Sequence, residues 1–170
     1  MALLIPKKII LHCSATEDTD SKSWDAIRRY HIETNGWDDI GYHYGIERYL
    51  GNISYQRGRL PSVMGAHCRA AGRNRDSIGV CVVGKFDDKP PADDILIATY
   101  KLLSYLCFVF SIAPKDVYGH REYESGKTCP GLKWNLDETR DNVMVFLSQI
   151  ESWGGPSVDP YDWSNDELDD

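Results

Sequence analysis

The sequence predicts an α/β fold, a single domain with a central mixed β-sheet flanked by helices. Short runs of β-branched and apolar residues alternate with longer segments whose apolar residues recur at helical spacing. The predicted order is β, α, β, β, β, α, β, α, which is typical of helices packed on a mixed sheet. A length of 170 residues, 42% of them hydrophobic, suits one ordinary domain with a substantial core.

The first predicted elements are a strand and a helix. An apolar run at 8–11 predicts a strand that carries His12 at its C-terminal end, where a polar loop begins. Apolar residues then recur at helical spacing over 24–33, and Ser23 is of a type that caps helices. The dipeptide Asn35-Gly36 ends this predicted helix.

A hairpin and a buried strand follow. Segments 42–50 and 53–56 predict two strands joined at Gly51-Asn52, a pair able to adopt positive φ in a tight turn. The continuous apolar run at 78–83 is typical of a strand buried on both faces. We therefore place that run at the centre of the sheet.

Two amphipathic helices and one short strand complete the predicted domain. Segment 93–110 has one apolar face and acidic residues in its first turn, which favours a long helix. A short strand is predicted at 116–118, just before His120, and 136–150 has the pattern of a second amphipathic helix.

The C-terminal segment differs in composition from the rest of the chain. Residues 153–170 include a Gly-Gly-Pro break and lack a periodic apolar face, so we expect a catalytic domain at 1–152 and a weakly ordered acidic tail. The seven acidic residues of 151–170, where there is no Lys or Arg, account for the whole net charge of -7. Because 1–150 is balanced, a broad basic face for nucleic acid or an anionic membrane is not expected.

The sequence shows no ordinary secretory signal and no convincing membrane span. The N-terminal residues lack a basic leader and a cleavage site after a long apolar run. The most apolar later segment, 95–112, is interrupted by Lys101. Five cysteines without tight spacing predict free thiols and not a disulfide scaffold. We expect a soluble monomer, made in a reducing compartment, without stable membrane insertion.

Three residues spread along the chain form a candidate metal-ligand set. His12, His120 and Cys129 would supply two imidazoles and a thiolate, and a tetrahedral zinc ion would keep one position for water. Such an open site is typical of catalytic zinc. The alternative is a loop thiol with two unrelated histidines, and the spacing alone leaves both interpretations open.

Six short motifs occur in a fixed order along the chain. They are HCSAT at 12–16, GWDDIGYHY at 36–44, GAHC at 65–68, NRDSIGVCVVG at 74–84, GHRE at 119–122 and KTCP at 127–130. With these motifs, the chain from about residue 7 to residue 150 resembles the zinc-dependent N-acetylmuramoyl-L-alanine amidases. That superfamily includes phage (T-seven type) lysozymes and peptidoglycan recognition proteins. Several separated motifs are far more specific than one.

The resemblance implies a reaction and roles for five residues. His12, His120 and Cys129 would bind one zinc ion, and Tyr42 and Lys127 would be catalytic. The bond cut would be the amide between N-acetylmuramic acid and L-alanine in peptidoglycan. A Lys ammonium would stabilise the oxyanion and a Tyr hydroxyl would orient the water or relay a proton. The general base stays open, and packing against the core is the alternative for Tyr42.

Other motif residues have two interpretations each. His67 lies in a GAH motif that borders the substrate cleft of similar amidases, so it is predicted to bind substrate or else to support the fold. For His43 we favour support of the fold. Glu122 is not assigned to catalysis.

Several charged and thiol side chains are candidates of a similar kind. Arg57, Arg59 and Arg73, and the cluster at 74–76, either contact the stem peptide and glycan or are solvated. Cys13 follows a predicted ligand, but strand alternation should point its side chain away from zinc.

The predicted function is that of a phage or prophage endolysin, made in the host cytoplasm and acting on the cell wall after release. The alternatives are a peptidoglycan-binding protein without activity and a cytoplasmic amidase that recycles muropeptides. The resemblance disfavours both, because such relatives generally lack the thiolate that Cys129 provides. Some phage lysozymes also inhibit a phage RNA polymerase through an N-terminal extension. Only about six residues precede the first predicted strand here, which argues against that partner.

Overall fold

A computed structural model describes residues 3–17 and 23–155 of the chain. Its strands are β1 (Lys8–Cys13), β2 (Tyr44–Tyr49), β3 (Asn52–Arg57), β4 (Ser77–Val82) and β5 (Val117–Gly119). They form one sheet in the order β3-β2-β4-β1-β5. β1 is parallel to β4 and β5, and β2 is parallel to β4 and antiparallel to β3. The predicted mixed sheet, with the apolar run of β4 at its centre, is confirmed.

Helices flank the sheet on both faces. They are α1 (Ser23–Arg29), α2 (Asp93–Phe110) and α3 (Leu136–Ser152), and α1 continues as a π-helical turn over Tyr30–Thr34. Short 3-10 turns occupy Ala70–Arg75, Pro114–Asp116 and His120–Glu122. The predicted bounds of α2 agree fully, and those of α3 fall two residues short of the observed end.

The two sides of the sheet differ in what they carry. Ile9 and Leu11 of β1 belong to the main core, which α2 and α3 cover. The alternate residue His12 lies on the opposite face, where Trp24 of α1 and Cys81 of β4 form a second small cluster. His12 is the register partner of Cys81. His12 therefore lies on the α1 face of the sheet, opposite the main core.

Three local expectations are corrected. The hairpin turn lies at Leu50-Gly51 and not at Gly51-Asn52, because Tyr49 already pairs with Asn52. The predicted strand at 42–50 begins only at Tyr44, because the ladder with β3 ends at the Tyr44 and Arg57 pair. The backbone of His43 instead bonds to Gly79 on one side and to Gly58 on the other. Ser23 lies inside the first helix, where the Glu47 carboxylate accepts the Trp24 backbone N–H at 2.9 Å.

Other expectations concern the cysteines, membrane spans and the C-terminal tail. All five cysteines are free, and Cys68, Cys81 and Cys107 are buried. Among the helices of residues 3–17 and 23–155, none combines the length and the apolar character needed to cross a membrane. The predicted tail falls mostly on 156–170, outside the described residues, so the domain boundary stays a prediction.

Candidate metal centre

Three side chains meet at the ends of two parallel strands. His12 lies near the end of β1, His120 directly follows β5, and Cys129 lies in the loop before α3. One donor atom from each lies within 4.8 Å of the other two. Leu11 and Gly119 are register partners in neighbouring strands, so the histidines that follow them are side by side. The fold thus assembles the predicted ligand set.

The donor atoms suit a metal cation. Burial, followed by the nearby His67 and His120 rings, holds the pKa of His12 well below its usual value, so its ring is neutral at neutral pH. Burial also lowers the pKa of His120, so this ring is neutral at neutral pH as well. Neutral imidazoles with a free lone pair are the form that binds metal ions.

The thiol of Cys129 completes the set. Its Sγ lies 3.6 Å from Nδ1 of His12 and accepts the backbone N–H of Cys13 at 3.2 Å. A hydrogen bond with the Cys13 thiol and burial raise the pKa of Cys129, so metal binding must displace a proton. Three protein donors leave a tetrahedral ion one position for water or substrate.

Cys13 contacts both the main core and the thiol of Cys129. Its side chain packs against the main core, as strand alternation predicts. Its thiol nevertheless interacts with that of Cys129, and this contact is the main reason that the pKa of Cys13 is lowered. The expectation that the Cys13 side chain points away from the ligand set agrees with its packing on the main core, although its thiol also interacts with that of Cys129.

Tyr42 lies beside the ligands and also packs against apolar residues. Its ring centroid is 5.2 Å from that of His12, and the ring contacts the cluster of Trp24, Ile40 and Cys81. Burial raises the pKa of Tyr42 well above its usual value, and the neighbouring Cys81 adds to the shift. The hydroxyl therefore stays protonated and can donate a hydrogen bond.

Lys127 and Glu124 place opposite charges near His120. Lys127 is exposed, and its backbone N–H donates to the Glu124 carbonyl at 2.9 Å. After burial, the Glu124 carboxylate raises the pKa of His120 and the Lys127 ammonium lowers it. Glu124 Oε2 lies 3.3 Å from Nε2 of His120. Nothing in the sequence indicates that Glu124 lies at the site. Residues four positions apart come close only where the chain forms a helix or a turn, and none was predicted between His120 and Glu124.

His67 and His43 form a second layer behind His12. Nδ1 of His67 lies 3.1 Å from Nε2 of His12. The His43 ring packs edge-on against His67, accepts the Gly79 backbone N–H at 2.9 Å and lies 2.9 Å from the Val63 carbonyl. Burial lowers the pKa of His67 to about 3 and that of His43 to about 4. Both rings are therefore neutral. The supporting position favoured for His43 agrees with these contacts.

His31, which lies within the segment 24–33 predicted as a helix, also borders the site. Its ring centroid lies 5.7 Å from Tyr42 and 4.7 Å from Trp37. Its Nδ1 accepts the Gly41 backbone N–H at 3.1 Å, which leaves the proton of the neutral ring on Nε2. No signal in the sequence distinguishes this position from an ordinary helix residue.

The other charged candidates have structural partners. The guanidinium of Arg59 donates to the carbonyls of Ile40, Met64 and Asp39. Arg73 pairs with Asp76 at 2.8 Å, and Asn74 Oδ1 accepts two backbone N–H groups. These contacts favour roles in the fold. Arg57 lines a cavity of about 230 Å³ beside His43, away from the three ligands.

Glu122 supports the chain just before the site. It accepts the Gly119 backbone N–H at 2.7 Å and pairs with Arg140 at 2.6 Å. Arg140 in turn donates to the Val117 carbonyl at 2.9 Å. This network ties β5 to α3 and agrees with leaving Glu122 out of the catalytic set.

Comparison with known protein families and their members gives clear matches. Residues 3–132 match the model of the family described as N-acetylmuramoyl-L-alanine amidase. The chain is 42% identical over 85 residues to the endolysin of Escherichia phage T7, covering 50% of this chain and 52% of that protein. It is 38% identical over 127 residues to the endolysin of Enterobacteria phage K11, covering 74% and 80%. The alignment with the T7 endolysin thus spans about half of that relative.

Solved structures show the same architecture. The amidase LysC from Clostridium intestinale URNW superimposes with a TM-score of 0.70 at 25% identity, covering 85% of this chain and 91% of that chain. The peptidoglycan recognition protein LE in complex with tracheal cytotoxin, a monomeric diaminopimelic acid-type peptidoglycan, gives 0.65 at 27% identity. That alignment covers 81% of both chains.

Proposed function

Because the chain belongs to the N-acetylmuramoyl-L-alanine amidase family, we propose that it hydrolyses the amide bond joining N-acetylmuramic acid to L-alanine in peptidoglycan. The observation that carries this proposal is the cluster of His12, His120 and Cys129, which lies within the matched residues. Zinc is the proposed ion, since two imidazoles and a thiolate suit it. When bound, zinc would supply a Lewis acid that polarises the carbonyl and lowers the pKa of a water.

The protein's own side chains would act on the substrate around this centre. Lys127 is exposed, so its ammonium is free to approach the carbonyl oxygen and stabilise the negative charge that develops there. Tyr42 keeps its proton, because burial raises its pKa, and its hydroxyl would orient the attacking water or donate to the same oxygen. The predicted contact between His67 and the substrate stays a prediction.

The cellular role we propose is that of an endolysin. Two relatives with this name align with the chain, one of them over 80% of its length. The substrate would be the cell wall, reached after release from the cytoplasm in which the protein is made. A muropeptide is a reasonable minimal ligand, because a protein of the same fold is known in complex with a monomeric peptidoglycan fragment.

Digestion of purified cell walls tests the proposal. We expect the zinc-loaded protein to release new amino groups, and we expect a chelator to stop the release and added zinc to restore it. Cys129→Ser should lose zinc and activity together, because a hydroxyl is a poor substitute for a thiolate ligand.

Two results would contradict the proposal in different ways. Walls that bind the zinc-loaded protein but release no amino groups would indicate a binding protein without activity. Full zinc retention by Cys129→Ser would refute the ligand assignment.

A further inference from the structure

We propose that His67 is a positioning residue that holds the ring of His12 by a hydrogen bond and so fixes which nitrogen of His12 faces the metal ion. The inference rests on the metal site proposed above. It concerns a side chain outside the ligand set, and it gives that side chain a role different from contact with the substrate.

The two rings meet through one defined pair of nitrogens. Nε2 of His12 lies 3.1 Å from Nδ1 of His67, and both residues are buried. The other nitrogen of His12, Nδ1, faces Sγ of Cys129 at 3.6 Å. A neutral imidazole carries one N–H. If Nδ1 of His12 binds the metal ion, Nε2 carries the proton and must donate it to His67.

His67 is held in place by its own backbone and by two glycines. Asn74 Oδ1 accepts the backbone N–H groups of His67 and Cys68 at 2.9 and 2.7 Å. A Cβ added at Gly65 or at Gly79 would lie 2.5 Å from the His67 ring. The ring fits in this place because neither glycine carries a Cβ, and from there its Nδ1 faces His12.

The His67 ring also has a polar contact on the side of β4. If Nδ1 accepts the proton of His12, then Nε2 of His67 carries the proton of its own neutral ring. The ring hydrogen-bonds to the backbone of Ser77, the first residue of β4. The buried His67 ring therefore connects β4 to His12 through polar contacts, which fits a role in orienting His12.

Zinc affinity measured by competition with a chromophoric chelator tests this inference, together with the absorption spectrum of the cobalt-substituted protein. Ligand-orienting partners typically change metal affinity by about 10–100-fold. We expect His67→Leu to weaken zinc binding by about this factor and to alter the cobalt spectrum. His67→Asn should stay within a few-fold of the native protein, because its carbonyl oxygen lies near the position of Nδ1. In His67→Gln the longer side chain would place its amide near the position of Nε2 and not near that of Nδ1. We therefore expect this variant to bind zinc as weakly as His67→Leu.

Controls separate this role from others. His31→Asn makes the same exchange at a ring packed against Trp37 and should leave zinc affinity unchanged. Thermal unfolding with chelator present should show that His67→Leu is folded at the temperature of the zinc measurement. If that variant fails to fold, the comparison of His67→Asn with His67→Gln still decides.

The possible results are distinct. Native zinc affinity in both His67→Leu and His67→Gln would overturn the inference, as would equal weakening in all three variants. A raised KM at unchanged zinc affinity would assign His67 to the substrate instead. If the native protein binds zinc with the expected pattern of variants but cuts no cell wall, only the proposed function fails. If it binds no zinc, both fail.

Discussion

Gly79→Ala should weaken the metal site without touching any ligand. Gly79 lies in the interior of β4, where an added Cβ would be 2.5 Å from two carbons of the His67 ring and 2.9 Å from its Nδ1. Non-bonded carbon atoms prefer a separation of about 3.5–4.0 Å. The ring must therefore retreat by about 1 Å or more. A retreat of this size would stretch the 3.1 Å contact with His12 beyond hydrogen-bond range.

The expected magnitudes follow from this displacement. Overpacking of a buried site lowers the free energy of unfolding by about 1–3 kcal/mol. Loss of the hydrogen bond to a metal ligand should raise the zinc dissociation constant by about 10–100-fold. Urea unfolding and chelator competition measure the two effects on the same preparation. Gly126→Ala is the matched control, because its Cβ would meet nothing within 4 Å. Native zinc affinity in a clearly destabilised Gly79→Ala protein would refute the reasoning.

Three further predictions concern other parts of the molecule. Lys127→Ala should keep zinc and stability but lower turnover by about 10²–10³-fold, as removal of an oxyanion-stabilising group does; an unchanged rate in the amino-group assay would exclude the role. Burial lowers the pKa of His43 to about 4, so the unfolded chain binds its proton first as pH falls below about 6.5. Stability should therefore decrease between pH 6.5 and 4, by about 2 kcal/mol at pH 5 from His43 alone, with a smaller decrease in His43→Asn by urea unfolding. Glu122→Gln should cost about 0.5–1 kcal/mol in urea unfolding, because it weakens the partly exposed pair with Arg140, and retained activity would support its structural role.

The elements of the fold were predictable because their signals are local. The continuous apolar run at 78–83 favoured a central strand, and every residue of β4 is buried. The glycine at 51 predicted the hairpin, and Leu50 and Gly51 have the positive φ that its turn needs, although the turn lies one residue earlier than predicted. Patterns of this kind depend on neighbours in the chain, so one sequence is enough to find them.

The inner geometry of the site was not predictable, because it depends on pairing between distant segments. His67 and His12 are 55 residues apart, and His67 lies in the loop between β3 and the turn at Ala70–Arg75, so only the folded chain brings the two rings together. The motif around His67 marked the residue as a candidate but did not show where its side chain points. Glu124 and His31 carry no motif at all, and only the folded chain places them near His120 and Tyr42.

The masses of the fragments released from purified peptidoglycan test the central claim most directly. The proposed activity predicts stem peptides with a free N-terminal L-alanine and glycan strands whose lactyl groups carry a free carboxyl group. New reducing sugar ends, a cut within the stem peptide, or an unchanged wall after incubation with the zinc-loaded protein would contradict it.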